Sequence, residues 1–382
     1  MLHFKSTEFE ARLTRLQAAM AARRLDGMIL FAQESHYWLT GYDTFGFCFF
    51  QALFVRADGR MALLTRSADL RQAQHTSTLT DIRVWTDRKG ATPADQLLAM
   101  IRSIGVSGRR LGVEFDTHGL THANGRKLEA AFDGAFELVD ASDIVTRLRA
   151  VKSAAEIDFV REAARLSDAA DAAALATIGP GVDEAAVLAA QHNAIFAAGG
   201  DYPANEFIIG SGEDALLCRY KAGRRVLDPN DQITLEFAGV WRHYHAAAMR
   251  TVIVGEPRPR HLELYAAARA ALEACESELR PGRTAGDVFA AHTRVLDGHG
   301  LADHRLAACG YSLGAKFTPS WMDWPMFYED NDWALVPGMV MFCHMILMDS
   351  GTMTAMCLAR TCLVTDGPAE PLNIPDLSLM VR

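Results

Sequence analysis

Long apolar runs, paired cysteines and a surplus of basic charge are all missing from this sequence of 382 residues. No stretch approaches the roughly 18 consecutive apolar residues that cross a bilayer as a helix, so no membrane span is expected. The start, Met1-Leu2-His3-Phe4-Lys5-Ser6, lacks the apolar core of a secretory signal. Seven cysteines are scattered from Cys48 to Cys362 with no CxxC pair, which suits reduced thiols in a cytoplasmic protein. Acidic residues outnumber basic ones, 47 to 38, giving a net charge of −9. That balance argues against non-specific nucleic-acid binding, which needs basic surface to displace counterions, so a nucleic-acid partner is not expected. No low-complexity segment or repeat of about 20–50 residues is evident.

What is present reads as a two-domain globular chain. Half the residues are apolar and 22% are charged. Thr7-Glu8-Phe9-Glu10 fits a capping box opening a helix through about Arg24. Gly27 to Phe31 reads as a buried strand. Phe49 to Val55 and Met61 to Thr65 read as a hairpin around Ala57-Asp58-Gly59-Arg60. With the strand at Leu111 to Phe115 and the helix from Asn124 to Phe132, this part reads as α/β. Near Arg149 the texture changes. Ser153-Ala154-Ala155-Glu156 is a second capping box, and a long Ala-rich helix follows it to about Ile178. Further helices from Asp183 and from His261 to Leu279 alternate with strand-like segments at Glu206 to Ile209, Gln232 to Phe237, His243 to Val254, Met339 to Met348 and Thr361 to Thr365. The expected class is α+β, with domains at 1–150 and 151–382.

One stretch carries the most chemical information: Thr234-Leu235-Glu236-Phe237-Ala238-Gly239-Val240-Trp241-Arg242-His243-Tyr244-His245-Ala246-Ala247-Ala248-Met249-Arg250-Thr251. It reads as a β-hairpin and resembles the metal-binding hairpin of the pita-bread hydrolases, which include methionine aminopeptidases, Xaa-Pro peptidases and creatinase. Other segments carry the resemblance along most of the chain. They are Tyr37-Trp38-Leu39-Thr40-Gly41-Tyr42, Leu148 to Glu156, Arg280-Pro281-Gly282-Arg283-Thr284-Ala285-Gly286-Asp287 and Pro337-Gly338-Met339-Val340. The resemblance implies a creatinase-like N-terminal domain, a pita-bread C-terminal domain and a homodimer.

The same resemblance implies a metal site that this chain does not reproduce. The two Asp ligands of the hairpin fall on Glu236 and Ala247, eleven residues apart. The ligand His falls on Tyr311, the Glu of the Val-Glu-Pro motif on His344 and the final Glu near Ala359. The auxiliary His that precedes a Tyr falls on Arg219. Two dications need several carboxylates around them, so no cofactor or metal is expected.

The remaining residues still suit catalysis. If the second strand is regular, His243, His245 and Ala247 share one face. Glu236 with His245 and His344 then forms a catalytic set able to do acid–base or nucleophilic chemistry. In it Glu236 is nucleophile or base, and the imidazoles shuttle protons. Each His has a structural reading too. Tyr311 either donates a hydrogen bond to substrate or fills the vacated metal space. Arg219, followed by Lys221, Arg224 and Arg225, is suited to gripping a carboxylate. Aromatics from Tyr42 to Phe50, with Phe47 as the candidate contact, and from Trp321 to Tyr328, could box a small substrate.

The resemblance extends to two metal-free members of that family, creatinase and ectoine hydrolase, and implies the expected function. It is metal-independent hydrolysis of a non-peptide C–N bond in a small zwitterion. Two alternatives stand beside it: a peptidase-like site with one metal on Glu236, His245 and His344, and a catalytically silent binding protein.

Overall fold

A computed structural model describes residues 2–219 and 225–382. The chain divides into two compact units, Met1–Arg149 and Ala150–Arg382.

In the N-terminal unit, helix α1 (Ser6–Ala22) precedes strand β1 (Gly27–Leu30) and helix α2 (Gln33–Thr40). The hairpin of β2 (Ala52–Arg56) and β3 (Met61–Arg66) follows, then α3 (Leu70–Thr76), β4 (Ile82–Trp85), α4 (Pro93–Ile104), β5 (Arg110–Val113), α5 (His122–Phe132), β6 (Glu137–Asp140) and α6 (Ser142–Ala150). The sheet order is β4-β3-β2-β1-β5-β6. Apolar runs without alternation build it because helices cover both faces. Ile29 packs with Phe54, Leu97 and Phe132 on one side, while Met28 and Leu30 pack with Leu16, Trp38 and Ile144 on the other. The expected box at Thr7–Glu10 is not formed. Helix α1 begins two residues earlier, after Lys5, with no side-chain cap. Thr40-Gly41 proves to be a helix stop, where Gly41 takes φ 82°.

In the C-terminal unit the capping box at Ser153 and Glu156 is formed and opens helix α7 (Ala154–Thr177). Next come α8 (Glu184–Ala197), β7 (Ile208–Ser211), β8 (Asp231–Trp241), β9 (Tyr244–Val254), α9 (Pro259–Glu278) and α10 (Ala285–Gly298). Strands β10 (Gly310–Ser312), β11 (Asp323–Met326), β12 (Val340–Asp349) and β13 (Thr354–Leu363) complete the main path, with short β14 (Glu370–Pro371) and β15 (Met380–Val381) at its side. The order is β11-β10-β12-β13-β9-β8-β7, antiparallel along this path. Helix α7 lies against β8 and β9, and Gly239 allows the approach, because a Cβ there would strike the Ala163 carbonyl. Ala246 packs against Ala163 and Ala164 of this helix. Side chains alternate along a strand, so His245 and Ala247 point to the face away from it. Among the described residues no helix is long and apolar enough to cross a membrane.

Candidate active site

Strands β8 and β9 pair without a register break from Asp231 opposite Val254 to Trp241 opposite Tyr244. Residues directly opposite in an antiparallel pair share a face. Glu236 opposite Met249, Ala238 opposite Ala247 and Val240 opposite His245 therefore all face one way. Two further pairings extend the first of these into a row. Met249 pairs with Ala359, and Ala359 with His344. Glu236 and His344 are the polar ends of that row, across four strands.

Tyr311 joins those ends. Its hydroxyl donates to Glu236 Oε1 at 3.1 Å, and its ring centroid lies 5.6 Å from that of His344. The Trp321 indole N–H donates to the Tyr311 oxygen at 2.9 Å. Tyr311 is 3% exposed and Trp321 1% exposed, so these bonds are sheltered from water. Burial pushes the Glu236 carboxyl up to about 7, while the Tyr311 hydroxyl and the charge of Arg219 pull it down. Burial and the neighbouring Glu236 hold the phenol far above its ordinary range, so it keeps its proton. At neutral pH Glu236 thus stands close to the midpoint between acid and base.

His245 is different, and here the structure corrects the expectation of a proton shuttle. Its ring is fully buried; Nε2 accepts the backbone N–H of Ala204 at 3.0 Å, and Nδ1 lies 3.4 Å from the Gly314 carbonyl. An acceptor role at Nε2 places the proton on Nδ1. Burial lowers the ring to about 3. Along β9 it stands four residues from Met249, roughly 13 Å at strand spacing. His245 is a neutral bolt between two backbone segments.

His344 has no such partners. It is more than nine-tenths buried, between Tyr311 and Phe342, and its Nδ1 has no hydrogen bond. Burial, then the nearby His292, brings it down to about 3, so it is a neutral hydrogen-bonding group rather than a charged acid. Arg219 is exposed, and its charge acts on Glu236, Tyr311 and His344. Cys218 lies half-buried close by. Burial first and Glu236 second raise its thiol, so it is no activated nucleophile.

His243 is not on the strand at all. With Arg242 it forms the two-residue turn, at φ 65° and 52°, and its ring stacks 4.2 Å from Phe317. This corrects the expectation that it shares the face of His245. Arg225 pairs with Asp231 and Asp228 and is a structural ion pair. Lys221 and Arg224 lie outside the described residues. Phe47 is buried in a short turn of the N-terminal unit, where Phe45 and Phe49 are the exposed rings, Phe49 beneath Arg66. The sequence pattern places Trp321 only among the aromatics of 321–328 and marks neither Ala204 nor Asn205. Asn205 Oδ1 accepts the Trp321 backbone N–H at 3.0 Å. Only a donor-type ring spaced ten residues after Tyr311 could have hinted at this.

The donor set does not fit the two ions of the resemblance. Positions 247 and 359 carry methyl groups, and His245 turns both nitrogens to the backbone. Among the described residues no group of three or more His, Cys, Asp or Glu side chains is placed to hold a metal ion.

Comparison with known proteins gives this geometry a setting. The model of metallopeptidase family M24 matches residues 158–366, and the creatinase/prolidase N-terminal domain matches residues 12–151. An uncharacterized hydrolase/peptidase, y4tM of Sinorhizobium fredii, is 28% identical over 100% of this chain and 99% of its own. An ectoine hydrolase of Halomonas elongata is 26% identical over 88% of each chain. The crystal structure of dipeptidase PepE from Mycobacterium ulcerans superposes with a TM-score of 0.86 at 26% identity, covering 99% of both chains.

Proposed function

The chain belongs to metallopeptidase family M24, as a hydrolase with the pita-bread fold behind a creatinase-type N-terminal domain, and on that premise we propose that it cleaves a non-peptide C–N bond of amidine or guanidine type in a small zwitterion, without a metal. One observation carries this reading. The face that would need carboxylates for two dications has methyl groups at Ala247 and Ala359, yet retains Glu236, raised to about 7 and, among the described residues, held on Oε1 by Tyr311. The likeness to the Halomonas ectoine hydrolase supports it.

In this reading the substrate carboxylate meets Arg219, and its delocalised C–N centre lies over Glu236. Glu236 takes a proton from water as the water oxygen bonds to the amidinium carbon, and the C=N electron pair moves onto nitrogen. Collapse forms the C=O bond and breaks one C–N bond. Both protons of the water end on the departing nitrogen, the first by way of Glu236, so it leaves as an ammonium. Tyr311 and the neutral His344 hold the polar groups around that centre.

The test is turnover of ectoine, creatine and a Xaa-Pro dipeptide by the purified protein, with and without chelator. Amidine or guanidine hydrolysis indifferent to chelator is expected. Dipeptide cleavage that appears only with added divalent metal overturns the reading in favour of a rebuilt metal site. Binding of these compounds without any turnover makes the chain a silent relative.

A further inference from the structure

An indole N–H can donate a hydrogen bond and cannot accept one. At 2.9 Å from the Tyr311 oxygen, Trp321 Nε1 therefore fills a lone pair of that oxygen. The phenol's own proton is then left to the second neighbour, Glu236 Oε1 at 3.1 Å. We propose that Trp321 is a positioning residue that fixes the direction of the Tyr311 hydroxyl, so that Glu236 always receives a proton donor on Oε1 and acts through Oε2.

The surroundings make this direction hard to reverse. The Trp321 backbone N–H is held by Asn205 Oδ1 at 3.0 Å, and its ring is flanked by Phe207 at 6.3 Å and His245 at 6.2 Å between centroids. His245 is itself bolted to Ala204, so the wall behind the indole cannot rotate freely. Without the indole, the phenol could turn to accept from a protonated Glu236. That arrangement would occupy the proton of the carboxyl and remove a base from the site. With the indole in place, the chain of donors runs one way, from Trp321 to Tyr311 to Glu236. Chains of hydrogen bonds that run in one sense also polarise one another, so each bond strengthens the next.

The catalytic meaning of this chain rests on Glu236 being the acting carboxylate, but the direction of the bonds does not. The first experiment therefore needs no turnover. In a ¹H–¹⁵N spectrum of the full chain, the Trp321 indole proton should lie downfield and move upfield in Tyr311→Phe, which removes its acceptor. An indole signal that Tyr311→Phe leaves in place overturns the proposal. The second uses ectoine as the probe. Trp321→Phe should lower kcat about fivefold to tenfold, the effect of one ordinary hydrogen bond, and leave KM unchanged. In a Tyr311→Phe background it should then change nothing more, whereas effects that add would overturn the relay. If Trp321→Phe does not fold, the indole signal of the Tyr311→Phe protein still decides. If ectoine is not turned over, the proposed substrate fails while the indole result stands.

Discussion

Two imidazoles on the same face of one sheet, His245 and His344, have opposite surroundings. His245 sits at the hairpin end, where both ring nitrogens meet backbone groups of Ala204 and Gly314. His344 sits at the end of the Glu236 row, with its Nδ1 unpartnered and its ring beside Tyr311. Residue type and strand parity are equal, so neither can tell them apart. What differs is whether a neighbouring loop offers a backbone N–H. The hairpin end is tied into the backbone, whereas the row ends on a carboxyl bonded by Tyr311 and an imidazole with an unpartnered nitrogen.

Glu236→Gln tests the proposed reactive end with the largest effect. A drop in kcat of about 10³-fold is expected, within the usual range for a general base. In the wild type kcat/KM should fall tenfold per pH unit below about 7, because protonated Glu236 cannot take a proton from water. Its contribution to stability has the other sense. A carboxyl raised from 4.5 to about 7 by burial favours folding fully below 4.5, and that advantage is lost as pH rises to 7. Glu236→Gln should thus be more stable than wild type at pH 8, by up to about 3 kcal/mol in urea denaturation. Unchanged kcat would erase the distinction between the two ends.

At the bolted end, His245→Ala should act on folding. It leaves the buried Ala204 N–H without an acceptor and opens a cavity, costing about 2–4 kcal/mol. The histidine's pKa drops from 6.5 to about 3 on folding, so its contribution is complete above 6.5 and is lost as pH falls towards 3. Wild type should therefore lose up to about 1.4 kcal/mol per pH unit from this group across that window, and the variant should not. Denaturation at pH 7.5 and pH 5 measures both. A loss of kcat as large as that of Glu236→Gln, in protein still folded, would return His245 to the catalytic set.

His344→Leu should invert that pattern. Removing a ring with an unpartnered buried nitrogen leaves stability unchanged or raises it by about 1 kcal/mol. In the proposed hydrolysis kcat should fall about tenfold through the lost hydrogen bond to substrate. Destabilisation of the size seen at His245 would show that His344 has a structural partner after all.

Much of this architecture was legible in the residues. The Ser153 capping box, the Asp58-Gly59 hairpin and the apolar run at β12 each state a local preference that packing did not overrule. The alignment of Glu236, Ala247, Tyr311 and His344 with a known ligand pattern located the face of the sheet. Three things were out of reach. The turn at Arg242-His243 has positive φ at two non-glycine residues, so pattern alone extends the strand across it. The bond from Ala204 to His245 joins residues 41 apart, and no periodicity reports it. Trp321 depends on a contact between two loops and strands that only the folded register creates.

Arg219→Ala is the mildest change and the finest probe of the Glu236 end. The side chain is exposed, so its loss should leave folding within about 0.5 kcal/mol. A charge-assisted bond to a substrate carboxylate is worth about 1.5–3 kcal/mol, but solvent and salt weaken it at the surface, and a KM increase of about tenfold is expected with kcat within about twofold. The cation also holds the Glu236 carboxyl down. Its removal should move the acid limb of kcat/KM to higher pH, and raising the salt concentration on the wild type should reproduce part of that movement. Arg219→Lys keeps the charge without the planar fork, so it should restore the acid limb while leaving KM elevated. If both substitutions raise KM and neither moves the limb, Arg219 grips the substrate without tuning the carboxylate.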